Sequence, residues 1–475
     1  MVRVLLIKPF VPLHAHQNLE LPLGLMALSA YLKRELGEAV TVSLLDLRVE
    51  KDADRALIAA IERQRPDLLG LSLMTFEKPL LTRHLTAIRA AAPGALIVAG
   101  GAYPSSDAEE ALKEFPALDI AVRGEGEETL LDIVRRHAAG DDLHDIPGTA
   151  FRRGGLVLVA PDRPFITPLD RLPSPDLDAV DIERYLGPHT PMNVISAHPR
   201  HVAFMTSRGC PYRCAFCHDI MGKGFRPHSA ERVLADLRRL YERFGIREFH
   251  IVDDVFNLDR ERMRLILRGV KGIGADIRIA FPNGIRGDLL NEEDIDLMRS
   301  AGVYNLTFSF ETATPRLQEM IEKRLDIDWT MRMARYAHRR GIITKAYFML
   351  GFPGETRDEM AATFALSRDP ALDMVSYFKV APFPHTRLAR TCRELWGAEK
   401  GDGPIDYFTG RSRYEQETGI PLSGMIFRAY LRFYLPWRIV RLLFRLPRPF
   451  LFLSRLMQYA AFVLHIRRSS SPAPR

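Results

Sequence analysis

Thr206-Ser207-Arg208-Gly209-Cys210-Pro211-Tyr212-Arg213-Cys214-Ala215-Phe216-Cys217 gathers three of the chain's four cysteines within eight residues, directly after the strand-like run His201–Thr206. Thiolates separated by three and then two residues can wrap one side of a cubane [4Fe–4S] cluster, and three ligands leave one iron open to a substrate or cofactor. Gly209 and Pro211 let the chain curl around it. A structural zinc site takes four ligands; His218 is the nominal fourth, but it adjoins Cys217 and would have to turn back toward the same ion. Four cysteines in 475 residues exclude a disulfide framework and point to a reducing compartment. Cys392 stands apart, and burial is its expected fate.

Downstream of the cysteines, strand-like and helical runs alternate at a barrel-like rhythm over 201–390. The strands expected are His201–Thr206, Phe249–Val252, Arg278–Phe281, Asn305–Ser309, Thr344–Met349 and Met374–Val380. Six βα units predict a partial (β/α)6 barrel, with site residues at the carboxyl ends of its strands. Upstream, residues 1–145 alternate in the same way, with strands at Val2–Ile7, Val40–Asp46, Leu68–Leu73, Leu96–Ala99 and Ile120–Val122. That order predicts a Rossmann-like parallel sheet covered by helices on both faces, with a ligand beyond its strand ends. No GxGxxG opens its first helix, which disfavours a nicotinamide or flavin dinucleotide. Between the two units, 146–200 is a proline-rich connector carrying one hairpin signal at Arg153-Gly154-Gly155.

Hydrophobic residues make up 47% of the chain and charged ones 26%, enough to bury large cores. The net charge of +7 is uneven: residues 411–475 hold 12 Arg and two Glu, so the preceding 410 residues carry a balance of −3. This excludes a basic nucleic-acid-binding body. Residues 391–475 are read as a mainly helical basic and aromatic extension with a disordered end, whose arginines interrupt every stretch that might otherwise span a bilayer. The brief apolar N-terminal run ends at Lys8-Pro9 and reads as a strand, so a cytoplasmic protein is expected.

CxxxCxxC with an aromatic before its last cysteine, after the first strand of a barrel, resembles the signature of the radical S-adenosylmethionine (SAM) superfamily. The preceding domain resembles the cobalamin-binding domain of one of its large subclasses. The resemblance covers about four-fifths of the chain. It implies that Cys210, Cys214 and Cys217 hold a [4Fe–4S] cluster and that SAM binds the open iron, to be cleaved to a 5′-deoxyadenosyl radical. Family pattern places groups near the SAM amine, ribose and cluster at Asp253 and Asp254 (second strand), Asn283 (third), and Ser309 and Glu311 (fourth). Glu311, Asp253 and Asp254 are the candidate catalytic residues. Helix capping, or pairing with Arg316 or Lys323, is the competing reading for Glu311, and a simple turn role competes at Asp253, Asp254 and Asn283. Gly351 and Pro353 resemble the family's loop beside adenosine. In the first domain Gly70, Ser72, Gly100, Gly101, Gly124 and Glu127 are candidates for cobalamin. No Asp-x-His-x-x-Gly is present, so no protein imidazole is expected on cobalt, although His14 and His16 lie in the first βα loop.

The function implied is C-methylation of an unactivated carbon in a hydrophobic substrate of lipid, isoprenoid or tetrapyrrole type. Cyclisation, oxidation or carbon–carbon coupling is the alternative, with RNA modification and a bare corrinoid carrier less favoured. An external electron donor such as flavodoxin or ferredoxin is implied, and no nucleic acid. The tail adds a further expectation. Arg428 and Arg432, and then Arg438, Arg441 and Arg445, recur at helical spacing among aromatics, so the arginine stems would snorkel while the rings enter an anionic membrane surface, placing the protein peripherally on the inner face. The competing reading is that this segment packs on the barrel and closes its open side.

Overall fold

The computed structural model describes residues 1–10, 19–186, 195–397, 412–454 and 457. His14 and His16 lie outside them. Strands β1 (Val2–Lys8), β2 (Val40–Asp46), β3 (Leu68–Ser72), β4 (Leu96–Gly100) and β5 (Ile120–Val122) form a parallel sheet, and β6 (Thr149–Arg153) and β7 (Leu156–Val159) extend it antiparallel in the order β2-β1-β3-β4-β5-β6-β7. Alternate residues feed two cores, as a strand buried on both faces requires. Leu5, Ile7, Leu69 and Leu71 pack on one side, and Val4, Leu6, Leu68 and Val98 on the other. The order reverses between β1 and β3, the switch point at which doubly wound sheets open a crevice for ligands.

The first unit therefore does not stop at residue 145. The hairpin signal in the connector is real, but its strands complete the first sheet, with β6 pairing antiparallel to β5. Beyond it the connector packs on both units: Leu169 and Leu172 join the first domain's core, and Leu177, Ile182 and Tyr185 join that of the barrel.

The barrel begins with β8 (His201–Phe204). A two-residue ladder of β9 (Ser207–Arg208) with β10 (Arg226–Pro227) brackets the cysteine loop. Then come β11 (Glu248–Ile251), β12 (Arg278–Ile285), β13 (Val303–Glu311), β14 (Ile343–Leu350) and β15 (Met374–Lys379). The six long strands are all parallel in the order β15-β14-β13-β12-β11-β8, a partial barrel. Its helices start where side chains can satisfy free amides. Ser229, Asp259 and Asp326 accept from the amide three residues on, and Asn291 with Asp294, and Thr356 with Glu359, form reciprocal capping boxes.

The C-terminal helices Leu422–Phe433 and Pro436–Arg445 close the barrel's edge and floor. The hydroxyls of Tyr430 and Tyr434 accept hydrogen bonds from the Tyr377 and Val375 amides of the edge strand β15, at 3.0 and 3.3 Å. Leu442, Leu446 and Phe452 pack with Ala280, Ile343 and Met374 near the amino ends of the strands.

Candidate active site

Gly209 adopts φ +79, and a side chain there would run into the Gly224 and Met221 carbonyls, so the cysteine loop closes tightly on itself. The loop is pinned from below by the Ala215 amide on the Ile321 carbonyl (2.7 Å) and by the Leu388 amide on that of Ala215 (2.9 Å). Desolvation raises all three thiols above their ordinary range, Cys217 to about 11, so bare thiolates are not favoured. Iron bound by these three cysteines would supply the missing positive charge and favour loss of the protons. Lys323 and Arg286 lie near enough to favour a Cys214 thiolate, and Lys223 favours those of Cys210 and Cys217. Three thiols with cationic neighbours fit an anionic iron–sulfur cluster.

Asp253 does not face this loop's open side. Buried at the end of β11, it accepts from the Thr206 amide (2.6 Å), Thr206 Oγ1 (2.5 Å) and Ser207 Oγ (2.5 Å), using both oxygens to fix the start of the cysteine loop. Asp254 is exposed and close enough to raise Cys210 and Cys217 electrostatically. The Asn283 amide donates to the carbonyls of Val252 and Asp253, tying strand ends together. Glu311 is held at φ +65, which an ordinary side chain adopts only at a cost. Its Oε1 accepts from Lys323 Nζ at 2.6 Å, the ion pair considered from sequence, while its Oε2 meets no donor among the described residues. Ser309 projects beside Gly284, where a Cβ would lie 2.2 Å from its hydroxyl. Gly351 makes room for protein: a side chain there would collide with Leu422 and Tyr414 of the C-terminal extension. Pro353 sits in the same loop, which the Glu355 carboxylate holds through the Gly351 and Phe352 amides. The C-terminal extension therefore lies against this loop at Gly351.

Gly70, Ser72, Gly100, Gly101, Gly124 and Glu127 all line one cavity of about 750 Å³ at the carboxyl ends of the first sheet. Leu6, Leu25, Leu28 and Val98 form its apolar depth, and from the barrel side come Met205, Arg208, His218, Met221 and Phe383. Gly101, at φ +94, has the Leu73 backbone 2.7 Å from where a Cβ would stand. Such a deep, glycine-edged slot fits a large planar cofactor with an extended tail. Its rim carries an ion cluster that sequence reasoning missed. Arg208 donates to Glu125 (2.7 Å) and Glu127 (2.6 Å), Arg226 also reaches Glu125 (2.7 Å), and the Ile166 amide donates to Glu125 Oε2. Burial alone would raise the Glu125 carboxyl, but the two guanidinium groups outweigh it and hold it below the usual range. Glu127 therefore serves the contact between the domains, with its carboxylate committed to Arg208. The signal was partial: the Gly124–Glu128 run stood out, but its partners lie 83 and 81 residues away.

A second missed residue is Lys345. It is 5% exposed on β14, paired in register with Thr307 of β13. The alternating residues Leu306, Phe308, Ala346 and Phe348 pack toward the helices, so Lys345 faces the barrel interior. Among the described residues its one hydrogen bond is to Tyr347 Oη at 3.3 Å, and burial pulls its ammonium down to about 8. A folded pKa below the usual 10.5 means that the charged form is disfavoured by folding; the penalty is full below about pH 8, fades as pH rises from there, and is gone above the usual value. Lys345→Met should therefore raise stability at pH 7, on the order of 3 kcal/mol. The gap from wild type should narrow as pH rises from about 8 toward 10.5 in thermal melts. Equal melting temperatures at pH 7 would show that the ammonium is better solvated than this geometry implies.

A family model described as the B12 binding domain matches residues 15–134, and one described as the radical SAM superfamily matches 204–366. The chain is 30% identical over 372 residues to an uncharacterized methyltransferase of Pyrococcus horikoshii, covering 77% of each protein. It is 28% identical to a cytidylyl-2-hydroxyethylphosphonate methyltransferase of Streptomyces wedmorensis (82% of this chain, 81% of that one) and 27% identical to a hopanoid C-3 methylase of Methylococcus capsulatus (78% and 68%). Among solved structures, the radical SAM methyltransferase TsrM of Kitasatospora setae, with cobalamin and a [4Fe–4S] cluster bound, superposes with a TM-score of 0.69 at 22% identity, over 87% of this chain and 84% of that one. The chain belongs to the cobalamin-dependent radical SAM enzymes. Its cofactors are a [4Fe–4S] cluster, SAM and cobalamin.

Proposed function

We propose that this enzyme transfers a methyl group to an unactivated carbon of a small hydrophobic molecule, of lipid, isoprenoid or tetrapyrrole type. The observation that carries this reading is the cavity between the first sheet and the cysteine loop, where Met205, Ile220, Met221 and Phe383 give the barrel-side wall an apolar stretch beside Arg208 and His218. The relatives named as methyltransferases or methylases support the reaction type. When bound, the cluster with SAM supplies hydrogen-atom abstraction and cobalamin supplies a transferable methyl group. The residues then have three tasks. Cys210, Cys214 and Cys217 hold the cluster; the glycine-edged cavity seats cobalamin; and the apolar stretch excludes water from the reacting carbon. Cys392, 1% exposed among Val380, Leu388 and Phe352, is a packing residue, and electrons are supplied by an external donor such as flavodoxin or ferredoxin.

Glu311 has one oxygen without a donor and is assigned to the ribose or ammonium group of SAM. Glu311→Gln should weaken SAM binding by about 1.5–3 kcal/mol, the worth of a charge-assisted hydrogen bond, with iron content unchanged. Unaltered SAM affinity in equilibrium dialysis would return Glu311 to a purely structural pairing with Lys323. The reaction itself is tested by anaerobic reconstitution with iron, sulfide, SAM and cobalamin, followed by mass spectrometry of lipid extracts. Gain of one methylene unit is the expected product; loss of hydrogen or gain of oxygen would replace methylation with cyclisation or oxidation.

A further inference from the structure

The second helix of the C-terminal extension, 436–445, turns its arginines inward. Arg438, itself 8% exposed, donates to the carbonyls of Leu372 and Arg368; Arg441 donates to that of Pro370 at 2.5 Å; and Arg445 donates to those of His338 and Ile342. These three side chains fasten helix 436–445 to the barrel, so they are not available to snorkel toward lipid as their spacing suggests. The apolar side chains face out instead. Phe427 and Leu431 lie four apart on helix 422–433, and Trp437, Val440 and Phe444 lie three and four apart on helix 436–445. Together with Leu435 and Phe450 they are between 41% and 88% exposed. Arg428 and Arg432 are exposed beside this stripe.

We propose that this stripe is a docking surface for an anionic lipid bilayer, with Phe427, Trp437, Phe444 and Phe450 entering the headgroup layer. Charge selects the occupant. From Thr418 to Arg475 the chain has ten arginines and not one acidic residue. On the face itself the exposed charges are Arg428 and Arg432, so pairing it with a second copy would set arginines against arginines with no carboxylate of this segment between them, whereas an anionic surface neutralises them. No helix among the described residues is long and apolar enough to cross a membrane, so the contact lies in the plane of the surface. The inference stands apart from the proposed reaction, because it rests on the tail alone.

The test uses full-length protein and vesicles of phosphatidylglycerol with phosphatidylcholine, or of phosphatidylcholine alone. Wild type should co-sediment with the anionic vesicles at low salt, and the apparent affinity should fall at least tenfold in Phe427→Ser/Phe444→Ser/Phe450→Ser. The melting temperature should not change, because all three rings are exposed. Trp437 emission should shift to the blue on binding, and Trp437→Phe should remove that shift although Trp329 and Trp396 remain. Equal sedimentation of the triple variant and wild type, or no binding by wild type, overturns the proposal. A wild-type dimer in light scattering that the triple substitution converts to monomer also overturns it, in favour of a contact between copies. Neither reading depends on turnover.

Discussion

Arg208→Met should lower stability by about 3–5 kcal/mol, the cost of breaking a buried ion pair by removing one partner. The loss is large because one guanidinium serves two carboxylates. Without it Glu127 keeps no cationic partner among the described residues and Glu125 keeps only Arg226. The melting transition should fall on the order of 10 °C. Cobalamin retention should fall with it, since Glu125 and Glu127 line the cavity whose rim Arg208 closes. Adding Glu127→Gln to Arg208→Met should recover part of the loss, because it removes the stranded charge. Acid should mimic the substitution. Glu125 is held below its usual range, so its contribution is present above that range and disappears as pH falls through its folded value. An Arg208→Met protein that melts and retains corrinoid like wild type would mean that the two domains hold together without this cluster.

Cys214→Ala should abolish SAM cleavage. Reconstituted wild type should hold about four irons per chain, and the variant should fall to background iron with no 5′-deoxyadenosine formed. The loop itself should survive the change, since its backbone bonds from Ala215 to Ile321 and Leu388 do not involve the thiol. Cobalamin should still bind, because none of the three cysteines lines the cavity. This split, corrinoid kept and iron lost, separates a cluster ligand from a residue needed for folding. Full SAM cleavage by the variant would remove Cys214 from the ligand set.

The sequence made local features readable and hid the distant ones. Five parallel strands and six barrel strands were visible because each is an apolar run bounded by turn residues. All six candidates in the first domain line one cavity because glycines at strand ends mark close backbone approach wherever a doubly wound sheet opens. Asp253 and Asp254 could not be told apart in advance: adjacent acids at a strand end look alike until Thr206 and Ser207 arrive from another strand to claim one. The Gly351 loop shows the same limit, since small residues permit close approach without naming what approaches, and Tyr414 of the C-terminal extension is one such neighbour. Antiparallel addition of β6 to β5, and the inward turn of Arg438, Arg441 and Arg445, depend on pairings that no local periodicity encodes.

The two tyrosine hydroxyls laid against β15 bear on how this protein stays in solution. The last strand of an open parallel sheet offers its free amides to any extended segment that passes, including the same strand of another molecule. Tyr430 and Tyr434 occupy the Val375 and Tyr377 amides with side chains that offer no further edge, so the sheet ends where the barrel needs it to end. A chain cut before residue 422 would keep Cys210, Cys214 and Cys217 and the whole glycine-edged cavity, yet carry an adhesive strand. Such a chain should aggregate on expression, through the bared edge together with the apolar barrel surface that Leu422, Phe433 and Leu442 cover.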